Sequence, residues 1–316
     1  MPDPPQIAQR ALEVDTDDDV TLAGEQSGEQ SGEQSGDGEA LAASEAIVLL
    51  HGLTATRRYV VMGSRALERA GYRVIAYDAR GHGHSTPAPE PTAYGYERLA
   101  DDLAEVLDAA GVQRALLAGA SMGAHTAVRF ALERPERVSA LAIITPAFDP
   151  VASDQDAGLA AWDALAHGLR EGGVEGFIDA YDLQAVPESF RATLATVLRQ
   201  RLSAHEHPDA VADALEVVPR SRPFDELEQL STIALPTVVV ASRDEADPGH
   251  PLVVAESYAR AIPGARLVVE EAGVGGHPIP SPIAWQGGQL SRVIAELAKD
   301  AGAPGPDQYR SGMSGG

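Results

Sequence analysis

Short, uninterrupted apolar runs alternate with amphipathic helical stretches through most of this sequence, and few architectures accept that rhythm. The runs lie at 46–50, 72–77 and 115–118, and continue at 141–144, 238–241 and 267–269. A strand packed on one face alternates apolar and polar residues, whereas a strand covered on both faces is apolar throughout. The intervening stretches carry helical spacing. Leu99, Leu103, Val106 and Ala110 recur along one face and are closed by Gly111, while Ala124, Ala127, Val128 and Ala131 stop before Pro135. The pattern predicts an α/β fold with a mostly parallel, doubly wound sheet buried between two layers of helices.

Between 150 and 231 the strand signal disappears. Leu159, Trp162, Leu165 and Leu169 mark one helical face there, and Phe190, Leu194, Val197 and Leu198 another. This reads as a helical cap inserted before the last two strands, over the carboxyl edge of the sheet where open α/β proteins bind ligands. The expected division is therefore a core of 46–149 and 232–302, a cap of 150–231, an N-terminal hairpin region of 1–45 and a Pro-, Gly- and Ser-rich disordered tail of 303–316. Within the first region Gly-Glu-Gln-Ser occurs three times from Gly24 onward. Lacking apolar side chains, that repeat is expected to be a mobile loop that lengthens the turn of a hairpin built from 10–14 and 20–23.

Charge excludes several classes of partner. With 47 acidic against 24 basic residues in 316, the formal net charge is −23, which opposes binding to nucleic acid or to anionic membranes. Lys299 is the only lysine; salt adaptation and the arginine bias of a GC-rich genome both account for the composition. Cysteine is absent, so a covalent nucleophile must come from another residue type. No apolar run has the length needed to cross a bilayer, and the opening Met1-Pro2-Asp3-Pro4-Pro5 lacks the regions of a signal peptide. A soluble, cytoplasmic protein is expected.

The chemistry concentrates in Leu116-Leu117-Ala118-Gly119-Ala120-Ser121-Met122-Gly123-Ala124, a strand that enters Gly-x-Ser-x-Gly and leaves as a helix of small residues. A serine at so tight a strand-to-helix bend projects its hydroxyl outward, and the flanking glycines let strand and helix approach. The amide after the serine lies at a helix N-terminus, where partial positive charge favours a developing oxyanion.

With His51-Gly52 ahead of it, Asp78-Ala79-Arg80-Gly81-His82-Gly83-His84 after the second core strand and Pro135-Glu136-Arg137-Val138 behind the helix, the chain resembles the α/β-hydrolase fold superfamily, in its serine esterase and enol-lactonase branch. The resemblance covers 46 to about 300. It implies Ser121 as nucleophile, an oxyanion hole from the amides of Leu53 and Met122, and a chain order of serine, acid, histidine. His277, in a glycine-rich loop after the last strand, is then the base. The acid is Asp244 by counting from the strand end, or Asp247 by counting back from the following helix, and both stand as candidates. His51, His82 and His84 are expected to be structural loop residues, His250 to pack at a helix start, and His205-Glu206-His207 to be a solvated turn. Thr54 and Arg57 near the oxyanion loop, with Tyr94, Phe148 and Trp162, are candidate substrate contacts, Arg57 for a carboxylate.

The expected function is hydrolysis of a small-molecule carboxylic ester or lactone through an acyl-enzyme, with no cofactor and no metal. Carbon-carbon bond hydrolysis, perhydrolysis and acyl transfer use the same three residue types and stay open. So does a noncatalytic, small-molecule-binding protein on this scaffold.

Overall fold

The computed structural model describes residues 9–28, 46–152, 156–243, 247, 249–270 and 285–302. Its eight strands are β1 (Gln9–Asp15), β2 (Thr21–Ser27), β3 (Ala46–Leu50), β4 (Arg73–Tyr77), β5 (Ala115–Ala120), β6 (Val138–Ile144), β7 (Thr237–Ala241) and β8 (Arg266–Val269). They form one sheet in the order β1-β2-β4-β3-β5-β6-β7-β8. The first two pairings are antiparallel, and every pairing from β4 through β8 is parallel.

The helices explain why the central strands are apolar on both faces. Ala46, Val48 and Leu50 point into a core shared with α2 (Tyr96–Ala109), α3 (Met122–Glu133) and α7 (Leu252–Ala261). Ile47 and Leu49 point to the opposite core, closed by α1 (Ala66–Arg69) and α8 (Gly287–Asp300). Strand β5 repeats the alternation, with Ala115 and Leu117 on one side and Leu116 and Ala118 on the other. Both faces are thus removed from water, the principal source of stabilisation for such a sheet.

Helices α4 (Asp156–Ala180), α5 (Glu188–Leu202) and α6 (Pro208–Val217) intervene between β6 and β7. They build a third cluster around Leu169, Phe177, Leu198 and Leu215, which meets the core through Leu53, Tyr96 and Met122. Gly173 interrupts α4 with a positive φ of 59°. Phe224, Leu230 and Ile233 pack with the main core instead, so the packing boundary falls before 231. No described helix is long and apolar enough to cross a membrane.

The N-terminal hairpin corrects the reading of the repeat. Its turn is the short 16–20 segment, where the Thr16 hydroxyl accepts from Val20 N–H at 3.1 Å. The first Gly-Glu-Gln-Ser unit is not loop but the second half of β2, pairing Gly24 with Tyr77 and Ser27 with Val74. Register set by the preceding hairpin overrides composition, and Gly24 suits the site because a Cβ there would lie 3.0 Å from the Ala76 carbonyl oxygen. The later units and the 303–316 tail lie outside the described residues.

Candidate active site

Ser121 caps α3 at the end of β5 with φ 51° and ψ −114°, a left-handed conformation costing a non-glycine residue on the order of 1–3 kcal/mol. The bend is held from several sides. Ser121 N–H donates to Ile144 O at 2.9 Å, and Ser121 O accepts from His125 N–H at 3.0 Å. A Cβ on Gly119 would collide with the Gly123 carbonyl, and one on Gly123 with the carbonyl of Leu50. Neither position tolerates a side chain.

His250 Nε2 stands 2.9 Å from Ser121 Oγ, and His250 Nδ1 stands 2.8 Å from Asp247 Oδ2. Asp247 and His250 share a turn after β7, in which Asp247 N–H donates to Arg243 O at 3.0 Å and Asp247 O accepts from His250 N–H at 3.1 Å. A carboxylate on Nδ1 holds that nitrogen protonated and leaves the Nε2 lone pair toward the serine hydroxyl. The expectation that His250 merely packs at a helix start is therefore corrected: the turn lifts its ring to the carboxyl edge of the sheet. The signal in the sequence was Asp247-x-x-His250 immediately after a core strand, a spacing that one turn folds into contact. His277 and Asp244 lie outside the described residues.

Around the bend, histidines bind the loops together. His51 Nδ1–H donates to Gly52 O at 2.8 Å, and its Nε2 accepts from Ala79 N–H at 2.9 Å; burial pushes its pKa down to about 3. His125 Nε2 accepts from the amides of Ala147 and Phe148, both at 3.1 Å, and its Nδ1–H points to Tyr96 Oη at 3.0 Å. It too is held neutral by burial, at about 3. His205 is no solvated turn residue. Its Nδ1 accepts from Gly83 N–H at 2.8 Å and its Nε2 faces Thr54 O at 3.3 Å, tying the helical insertion to the loop after β3. His84, exposed, contacts Glu206 at 2.7 Å. Among the described residues no cluster of His, Asp and Glu is placed to hold a metal ion.

Two cavities meet at Ser121. The smaller, of about 210 Å³, is bounded by Leu53, Met122, Phe148, Leu159 and Trp162, with Tyr96 and His125 as polar edges. The larger, of about 590 Å³, contains Ser121, Asp247 and His250 together with Tyr59 and Arg201. Of the expected substrate contacts, Phe148 and Trp162 face the smaller space. Tyr94 does not: it is buried in the insertion cluster, its hydroxyl accepting from Ala88 N–H at 3.0 Å. Thr54 lines neither cavity and spends its carbonyl on His205. Arg57 is committed to Asp78, whose fully buried carboxylate takes both its guanidinium and its backbone amide, so it is not a free carboxylate receptor.

The pattern of the alpha/beta hydrolase fold family matches residues 45–277. With an eight-stranded sheet of this order and a serine at the β5–α3 bend, the chain belongs to that family of hydrolases. Among its curated relatives are the putative carbamate hydrolase RutD of Variovorax paradoxus, 31% identical over 65% of this chain and 76% of its own, and a 2-hydroxy-6-oxononadienedioate/2-hydroxy-6-oxononatrienedioate hydrolase of Pseudomonas putida, 32% identical over 64% and 72%. The solved esterase of Thermogutta terrifontis superposes with a TM-score of 0.69 at 25% identity, over 92% of this chain and 99% of that one. The enol-lactonase of Burkholderia xenovorans shares the fold, with a TM-score of 0.63 at 21% identity over 89% and 97%.

Proposed function

We propose that this protein hydrolyses a carboxylic ester or lactone of a small molecule, with Ser121 as nucleophile. The observation that carries the reading is the unbroken hydrogen-bonded path from Ser121 Oγ through His250 to Asp247. Ser121 Oγ attacks the carbonyl carbon as its proton passes to the imidazole, and the amides of Leu53 and Met122 stabilise the oxyanion. Each such donor contributes on the order of 3 kcal/mol in comparable sites. Collapse of the tetrahedral species expels the alkoxide, which takes the proton from the imidazolium. Water, deprotonated by the same imidazole, then attacks the acyl-enzyme, releases the acid and restores Ser121.

His250 is the imidazole the geometry supports. A second assignment, His277, is supported by chain order in the family and by the family match ending at that residue. The two variants H250Q and H277Q separate them. The test of the function itself is labelling by a fluorophosphonate together with turnover of p-nitrophenyl esters of short and medium chain. Stoichiometric labelling and turnover, both abolished in S121A, support the reading; a folded wild type that neither labels nor turns over any ester overturns it. Labelling without ester turnover supports the second reading, carbon-carbon bond hydrolysis, for which the Pseudomonas putida relative's name is the motivation.

A further inference from the structure

Arginines in this protein are bound to acceptors almost wherever they leave bulk solvent. Arg80 reaches Asp102 and Asp18, Arg170 reaches Glu216 and Asp213, and Arg57 reaches Asp78. Arg201, in the last turn of α5 within the insertion, differs from these in that none of its nitrogens is paired with a described acceptor, whereas Arg57, whose Nε is also sealed, is paired through its other nitrogens. Its guanidinium lies over the Tyr59 ring, 5.5 Å from the centroid, and its Nε is sealed from solvent with no hydrogen-bond partner. No described residue accepts a hydrogen bond from it. Arg201 is half-buried, with its Nε cut off from water, a position that costs free energy unless acceptors replace the lost hydration; burial pushes its pKa down, against the attraction of Tyr59, Asp247 and Tyr181. In a chain with about two carboxylates for each basic residue, a protein partner would have been easy to supply.

The unspent donors face the larger cavity, which Arg201 lines with Ser121 and His250. They also lie next to the reacting centre. A methyl group built on Gly52 would lie 3.4 Å from Ser121 Cβ and 4.0 Å from Arg201 Nη2, so the serine side chain and the guanidinium both come within about 4 Å of one point beside Gly52. We propose that Arg201 is a specificity residue that receives a carboxylate of the substrate, a few bonds from the carbonyl that Ser121 attacks. The substrate is then an ester or lactone that also carries a free acid. The planar fork suits a carboxylate, and the aromatic ring beneath it holds the fork in place while the pocket is empty. This deepens the hydrolase reading and rests on it for the identity of the reaction, though not for the anion site itself.

The test compares matched pairs of esters differing in one charge: mono-4-nitrophenyl glutarate against 4-nitrophenyl butyrate for an acid on the acyl side, and 3-acetoxybenzoate against 3-acetoxybenzamide for one on the alcohol side. In R201Q the ratio of kcat/KM, anionic over neutral, should fall between about 10-fold and 100-fold in at least one pair, the scale of a charge-assisted hydrogen bond, with KM carrying the loss. R201K, which keeps the charge but not the fork, should fall between. Ratios unchanged in both pairs overturn the proposal. If wild type turns over none of these esters, the hydrolase reading fails separately, and the site is judged by melting temperature with millimolar glutarate or benzoate. A rise in wild type that R201K halves supports the site, and no rise overturns it. R201K also serves should R201Q not fold.

Discussion

His250 Nε2 lies 2.9 Å from Ser121 Oγ although 129 residues separate them in the chain. The contact joins the end of β5 to the turn after β7, two strands separated in the sheet by β6 alone. Replacing His250 by Gln keeps a hydrogen-bonding group but removes the proposed base. Ester turnover should fall on the order of 10⁶-fold, as for loss of either member of a serine-imidazole pair, while H277Q should change it little. Steady-state rates on one p-nitrophenyl ester check both, and the opposite pattern moves the base to His277.

Asp247 contacts that imidazole at 2.8 Å, and in the proposed relay it orients the ring. Asp247→Asn should lower kcat on the order of 10⁴-fold by turning the ring to the wrong tautomer, with fluorophosphonate labelling slowed in parallel. Full activity in this variant would remove Asp247 from the relay.

The bend at Ser121 has no room for side chains. Gly123→Ala would drive a methyl into the carbonyl of Leu50, and relief requires α3 and β3 to separate. A loss of about 3 kcal/mol in urea unfolding is expected, with labelling of the remaining folded protein impaired.

Arg80, fully buried, holds Asp102 through two bonds of 2.8 and 2.6 Å and reaches Asp18 in the hairpin turn. Asp102→Ala strands the guanidinium in the core and should cost about 3–5 kcal/mol, measurable by denaturant titration. A change below 1 kcal/mol would mean that Asp18 and the Ala93 carbonyl suffice as partners.

His51 and His125 are neutral in the folded protein, with pKa held near 3 by burial, against about 6.5 when unfolded. Protons therefore bind the unfolded chain preferentially between these values. The stabilisation is complete above pH 6.5 and is lost as pH falls toward 3. Between pH 7 and pH 5 each histidine should remove about 2 kcal/mol, and urea midpoints across that range report it. A flat profile would show that the two rings are not sealed.

Much of the fold, and the position of the nucleophile, were legible in the residues because the causes are local. Apolar runs such as 46–50 report burial on both faces, and Gly119-x-Ser121-x-Gly123 reports a bend that only unbranched backbone can make. Phe148 and Trp162, which the residues left between pocket and core, line the smaller cavity. What the residues could not say was which charged groups would be spent on each other. Arg57 looked available for a ligand, but the fold brings Asp78 against it; nothing in the sequence singles out Arg201, which the insertion lays in the cavity without a described acceptor. The repeat at Gly24 was misread because strand register, a property of the neighbouring hairpin, decides its conformation.

The sequence by itself determined the layered α/β plan and the strained serine, since both follow from the periodicity and size of adjacent residues. Tertiary structure alone decided which imidazole meets that serine and which cation faces the cavity beside it. Those outcomes depend on where distant loops end in space, and side-chain pairing across such distances leaves no periodic trace along the chain.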